Sequence, residues 1–320
     1  MAQTVVAIDI GGTKLACGLV RLEARAEPVV YGVEKVPTDA PRGGAAVLAS
    51  VIDLALAALE RAEEPVAGVG ISSAGVIDVH TGAIAFANDL MPGWMGTPLG
   101  QRLAEATGLT VRVLNDVHAH ALGEARHGAG KDYASSLVVA VGTGIGSAFV
   151  DNGMLMLGAH GVAGHVGHVQ TPEAVGIPCS CGCESHVEPV AAGPGIIEEF
   201  VRLGGPAVRE DGAAVDGAYI EQLAQAGDER ACAAEAKSAR ALGGVLGSLV
   251  NVLDPACVIV SGSVAKCGPT WHEPLHAAFE AQAMGPCRST PIVHGALGDN
   301  APLIGAAEHF IAPAYRELLG

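Results

Sequence analysis

Aromatic residues are scarce in this chain: Phe, Trp and Tyr make up 3% of its 320 residues. Its cores must therefore be filled by small and medium aliphatic side chains, and 50% of the residues are apolar. Basic residues are also few, with 18 Lys and Arg against 34 Asp and Glu and a formal net charge of −16. A nucleic-acid partner needs a clustered basic surface, so that class is excluded, and an anionic membrane surface is disfavoured. Phosphate remains admissible, because backbone N–H groups and a metal ion bind it without a basic patch. No apolar run reaches the roughly 20 residues that span a bilayer. The run from Leu249 to Val260 is broken at Asp254-Pro255. No signal-peptide pattern precedes the apolar run that starts at Val5, and a cytoplasmic protein is expected. Gly-Lys-Ser/Thr is absent, which excludes a Walker loop. A secreted disulfide framework is absent too: of eight cysteines, three crowd into positions 179 to 183 and the others stand in scattered apolar contexts.

Glycine is plentiful, with 44 residues, several in short runs after apolar stretches where backbone must approach something closely. Thr4 to Ile10 reads as a buried strand with Asp9 as its single charge. Gly11-Gly12-Thr13-Lys14 then makes a tight turn into a second strand, Leu15 to Val20, and Pro28 to Pro37 alternates as a third. Three strands with short turns form an antiparallel meander, whereas a dinucleotide fold would pass from the first strand to a helix. The turn amides can face a phosphate and Asp9 can hold Mg²⁺ through water; the bland alternative is an ordinary glycine hairpin.

Ala45 to Glu64 is amphipathic and helical, and the strand from Val66 runs into Ser72-Ser73-Ala74-Gly75, small and polar as a binding edge is. Thr97-Pro98 reads as N-cap and first helical residue, and Gly108 as the helix stop. Leu109 to Leu114 is a strand that ends in Asn115-Asp116, with a helix from Val117 to Arg126. Asp116 is either an N-cap or a general base that takes a proton from a substrate hydroxyl.

Leu137 to Val141 is again a buried strand, followed by Gly142-Thr143-Gly144-Ile-Gly146-Ser147 and a strand-like Ala148 to Val150. The dinucleotide fingerprint fails here, because Ser147 stands where its third glycine belongs and a strand follows. A second strand–glycine turn–strand suggests two related halves, each with a phosphate-binding hairpin, an arrangement suited to phosphoryl transfer. Two helices follow, Ala218 to Ala226 and Glu229 to Val252; then comes the strand Cys257 to Val260, with Gly262 after it, and Ala301 opens the last helix.

Between the hairpin and these helices, His168, Cys179, Cys181 and His186 have the types and spacings of a closed structural Zn²⁺ site. Cys183 can replace Cys181 or His186, and a redox pair or plain burial are the competing readings.

With Asp9-Ile-Gly-Gly-Thr-Lys14, Asn115-Asp116, Gly142-Thr-Gly-Ile-Gly146 and the His168/Cys179/Cys181 segment in this order, the chain resembles the ROK family of bacterial sugar kinases and related repressors. The resemblance runs its whole length, through Gly227-Asp228, Asp254-Pro255 and Leu303-Ile-Gly-Ala-Ala307. It implies an α/β, two-lobed, actin-like (hexokinase/ribonuclease H-like) fold with the active site in the interdomain cleft. The lobes expected are residues 1–117 with 309–320, and 118–308. It further implies an ATP- and Mg²⁺-dependent hexose 6-kinase whose lobes close on substrate, and a homodimer. Asp116 would be the base, and Asn115 and Gly75 would lie on the sugar side. Asp9, Gly11, Gly12, Thr13, Lys14, Gly142, Thr143 and Gly144 would serve ATP and Mg²⁺, Gly262 would lie by adenosine, and His168 and Glu188 would touch the sugar.

Two positions depart from the family pattern. His186 stands where a third zinc-loop cysteine is expected, and histidine serves zinc equally well. His165 stands where a sugar-binding glutamate is expected. A carboxylate only accepts hydrogen bonds, whereas a neutral imidazole accepts at one nitrogen and donates at the other, so the sugar code changes. Kanosamine (3-amino-3-deoxyglucose), the substrate of ROK kinases in antibiotic pathways, is the expected sugar, with glucose and then N-acetylhexosamines as alternatives. A sugar-responsive repressor would need a DNA-binding module, for which the sequence offers no candidate.

Overall fold

The computed structural model describes residues 2–87, 89–312, 314 and 315. It holds two compact units. One comprises Met1–Ser135, Ala148–Ala163 and Ala296–Gly320, the other Ser136–Ser147 and Gly164–Gly295.

The first unit begins with β1 (Gln3–Ile10), β2 (Lys14–Leu22) and β3 (Val29–Pro37), the antiparallel meander that the glycine turns lead one to expect. After α1 (Gly44–Glu60), β4 (Val66–Ser73) pairs parallel with β1, and a small hairpin follows, β5 (Val76–Asp78) and β6 (Ala83–Phe86). Next come α2 (Leu99–Thr107), β7 (Val111–Asn115), parallel to β4, and α3 (Asp116–His127). The sheet order is β3-β2-β1-β4-β7. The pleat of β1 sends Val6, Ile8 and Ile10 into a core with Val47, Val51 and Leu54 of α1, and sends Val5 and Ala7 to the opposite face. There they meet Leu303, Ile304 and Ala307 of the C-terminal helix, α9 in chain order (Ala301–Ile311).

The remaining strands and helices are β8 (Ser135–Val141), β9 (Ile145–Asp151), β10 (Met154–Leu155), α4 (Glu188–Ala191), α5 (Gly193–Arg202), α6 (Gly217–Gln225), α7 (Glu229–Leu253), β11 (Cys257–Ser261), α8 (Pro269–Gln282) and β12 (Ile292–His294). The second five-stranded sheet has the order β10-β9-β8-β11-β12, with β8 and β12 both parallel to β11. Glycines of α7 let α8 pack against its backbone: a Cβ at Gly243 would lie 2.3 Å from Leu275 O, and one at Gly247 2.4 Å from Phe279 O.

One local expectation changes. Helix α2 starts at Leu99, so Pro98 takes the cap position and Thr97 gives no side-chain cap; Gly108 ends it in the left-handed conformation, as read. Next to the lobe boundary expected between residues 117 and 118 lies a tight helix pair. A Cβ at Gly305 of α9 would lie 1.8 Å from Ala119 O of α3, so the two helices meet backbone to backbone, and both belong to the first compact unit. Residue 1 and, in the expected segment 309–320, residues 313 and 316–320 lie outside the described residues.

Candidate active site

In the first unit, the C-terminal ends of three parallel neighbours bring the expected residues to one sheet edge. Asp9 of β1 pairs in register with Ser72 of β4, and Ser73 pairs with Asn115 of β7. Ser72 Oγ donates to Asp9 Oδ1 at 2.6 Å. Burial, helped by the negative charge of Asp116, pushes the Asp9 carboxyl up to about 6 despite that hydrogen bond. A carboxylate in this state gains most from a cation. The turn after β1 is closed by Gly11 N donating to Lys14 O at 3.0 Å, and Thr38 Oγ1 ties it down by donating to Gly11 O at 2.6 Å. Gly12 and Thr13 form its tip. The Lys14 ammonium does not point away alone: it pairs with Asp299 at 3.0 Å, and Lys35 joins the same carboxylate at 2.8 Å.

Asn115 is the true N-cap of α3. Its Oδ1 accepts from Val117 N at 3.0 Å and His118 N at 3.3 Å, and its Nδ2 donates to Gly75 O at 2.9 Å. Asp116, the first residue of α3, has Oδ1 fixed by Asn115 Nδ2 and Val117 N, both at 2.9 Å. Gly75 has φ +102, and a Cβ there would lie 2.8 Å from Phe86 O, so glycine is required. Trp94 Nε1 donates to Ala74 O at 3.2 Å and holds this corner.

In the second unit, the Gly142–Gly144 turn is closed by Gly142 N donating to Gly144 O at 2.9 Å. Gly142 O accepts from Gly193 N at 2.8 Å, which seats the start of α5 against the turn. Glu188 braces the same hairpin, its Oε2 accepting from Ile145 N at 2.9 Å, and a Cβ at Gly144 would sit 2.9 Å from that oxygen. Ser147 proves to be a positioning residue that the sequence pattern missed: its Oγ donates to Gly164 O and accepts from Val166 N at 3.1 Å. It thereby fixes the backbone on both sides of His165, an exposed residue whose ring stacks 6.2 Å from that of His168. Gly262 has φ +93, and a Cβ there would lie 2.3 Å from Val141 O, which accounts for the glycine.

His168, Cys179, Cys181 and His186 converge, with one ligand atom from each lying within 4.8 Å of all the others. Cys179 Sγ is 3.6 Å from His168 Nδ1, and Cys181 Sγ is 3.3 Å from His186 Nδ1. A tetrahedral Zn²⁺ with bonds of about 2.0–2.3 Å needs ligand atoms roughly 3.3–3.8 Å apart, so the four residues fit the ion. The Cys183 backbone favours the Cys181 thiolate, and burial holds the His168 imidazole neutral, both as a ligand requires. Cys183 is exposed and outside the four; its carbonyl accepts from Cys179 N at 2.8 Å and closes the loop.

A cavity of about 650 Å³ opens in the second unit beside Gly142 and Thr143. Its wall is largely apolar, with Ile196, Ile197, Val264 and the backbone at Gly193 and Ser263, and its size suits a nucleoside. Glu221, Glu235 and Cys267 also face it.

The model of the ROK family matches residues 5–312. A glucokinase from Halalkalibacterium halodurans is 31% identical over 290 residues, 87% of this chain and 86% of that protein. An N-acetylmannosamine kinase from Escherichia fergusonii is 31% identical over 263 residues, 82% of this chain and 84% of that protein. Among solved structures, a ROK family glucokinase from Streptomyces griseus in complex with glucose and AMPPNP superposes with a TM-score of 0.78 at 29% identity, covering 95% of this chain and 98% of that one.

Proposed function

The chain belongs to the ROK family and is an ATP-dependent, glucokinase-like sugar kinase with that family's actin-like α/β fold, and on this premise we propose that it phosphorylates the 6-hydroxyl of a glucose-type hexose, kanosamine being the favoured substrate. The observation that carries the transfer chemistry is the pair Asn115-Asp116. Asn115 is the N-cap, and Asp116, the first residue of α3 directly after β7, has Oδ1 fixed by Asn115 Nδ2 and Val117 N. In this reading Asp116 accepts the proton of the sugar 6-hydroxyl, and an ionised carboxylate within hydrogen-bond reach suffices. Asn115 and the corner at Gly75 orient the sugar. Asp9 would hold Mg²⁺ through water, where the ion would neutralise charge on the transferred phosphoryl group.

The glycine hairpins at Gly11–Thr13 and Gly142–Gly144 offer backbone amides to phosphate oxygens, and Lys14 adds a charge already shared with Asp299. The apolar cavity beside Thr143 takes the adenosine, with Gly262 setting the close approach behind Ser263. Glu188 and His168 bind the sugar, and the Cys/His loop carries a structural Zn²⁺ that fixes His168. Kanosamine is favoured because His165 offers both a donor and an acceptor where a carboxylate would only accept. Glucose is the second reading, supported by the glucokinase relatives.

The test is ADP release in a coupled assay with Mg-ATP and a panel of kanosamine, glucose, glucosamine, N-acetylglucosamine, N-acetylmannosamine, mannose and fructose. A kcat/KM for kanosamine at least tenfold above glucose, about 1.4 kcal/mol in transition-state binding, is the expected result. His165→Glu should then shift the preference toward glucose. Glucose in first place refutes the kanosamine assignment, and no turnover of any sugar refutes the 6-kinase reading.

A further inference from the structure

The cavity of the second unit carries three residues for which the kinase reading has no use. Glu221 of α6, Glu235 of α7 and Cys267, two residues before α8, all face it. The protein holds one oxygen of each carboxylate. Gly268 N donates to Glu221 Oε1 at 3.0 Å, and Thr270 Oγ1 donates to Glu235 Oε2. The other oxygens, Glu221 Oε2 and Glu235 Oε1, are buried without a hydrogen-bond partner among the described residues. Glu235 is only 1% exposed. These carboxylates and the Cys267 sulfur offer one ligand atom each within 4.8 Å of one another.

Left alone, this arrangement is unfavourable three times over: two carboxylates repel, a nearly sealed carboxylate is poorly solvated, and two buried oxygens lack donors. A cation at the centre relieves all three. One oxygen anchored by a protein donor and the other left bare is also how ligating carboxylates are commonly oriented. The donor set selects the ion. Two carboxylate oxygens and one thiolate suit a borderline ion of the zinc class, while Mg²⁺ and Ca²⁺ take oxygen ligands. Three protein ligands leave a fourth position, which the cavity can supply with water.

We propose that Glu221, Glu235 and Cys267 form a second divalent-cation site of the zinc class, in the wall of this cavity and separate from the Cys/His loop. The proposal is independent of sugar phosphorylation, since it concerns metal content alone. To test it, the full chain is saturated with Zn²⁺, freed of unbound metal by gel filtration, and its zinc counted per chain by elemental mass spectrometry. Wild type is expected to hold one equivalent more than Glu235→Gln and one more than Cys267→Ser, with the His168/Cys179/Cys181/His186 set intact in all three. With Co²⁺ in place of zinc, wild type minus Cys267→Ser should show a thiolate-to-cobalt charge-transfer band. Circular-dichroism melts establish which variants fold, and Cys267→Ser, at a partly exposed position, decides alone should Glu235→Gln fail. Equal zinc content in wild type and the folded variants overturns the proposal.

Discussion

Asn115 and Asp116 divide two tasks that one residue often combines at a strand-to-helix junction. The Asn115 amide caps α3 and hydrogen-bonds to Gly75 O and to Asp116, so the neighbouring carboxylate is oriented and not consumed. Asp116→Asn keeps the size and removes the base. Turnover is expected to fall by about 10²–10⁴-fold, the usual contribution of general acid–base catalysis, while the melting temperature stays close to wild type. A parallel loss of fold and turnover would show instead that Asp116 is structural. The same division of labour explains Ser147, whose hydroxyl holds the backbone beside His165 from both directions.

At the scale of elements, the sequence was most legible where a feature is local. The β1–β2 turn and the helix stop at Gly108 after α2 each depend on residues a few positions apart, and each is found. Contacts between distant segments were not legible. Nothing near Lys14 announces Asp299, which lies 285 positions away, and nothing near Asp9 announces that Ser72 is its donor. The Asn115 cap was missed for a different reason: Asn and Asp are equally good caps, so adjacent residues cannot be ranked by type. Helix–helix approach was also hidden, because a glycine that permits backbone contact looks like one that merely tolerates a helix. The two kinds separate on mutation. Gly244 of α7 would place a Cβ no closer than 4.0 Å to any neighbour, so Gly244→Ala is expected to stabilise by about 0.5–1 kcal/mol through helix propensity. Gly305→Ala must push Ala119 O away from 1.8 Å, and a net loss of about 1–3 kcal/mol is expected. Denaturant melts of the two variants should therefore move in opposite directions.

At the scale of the whole molecule, stability against pH depends on how many protons the folded and unfolded chains bind. His309 is the informative group in the first unit. It is 2% exposed, its Nδ1 accepts from Ala314 N at 3.3 Å, and the ring of Tyr315 stacks on it at 5.1 Å. Burial, and then the positive charges of Arg112 and Arg126, lower it from 6.5 to about 3. Among the described residues, Arg126 pairs with the Glu308 carboxylate, which His127 also engages. His309 thus stays neutral in the fold where it would be protonated in the unfolded chain. A depressed folded value means that the unfolded chain binds the extra proton, so stability is full above 6.5 and falls as pH drops toward about 3. The slope from this one residue is at most about 1.4 kcal/mol per pH unit. His309→Gln keeps an acceptor for Ala314 N and cannot take up a proton. Whatever it costs at pH 7.5, the variant should regain ground on wild type with each step to pH 6.5, 5.5 and 4.5 in urea melts that follow the unit containing α9. Parallel stability curves for the two proteins would mean that His309 titrates alike in both states, and that acid sensitivity has to be sought among the carboxylates that gain partners on folding.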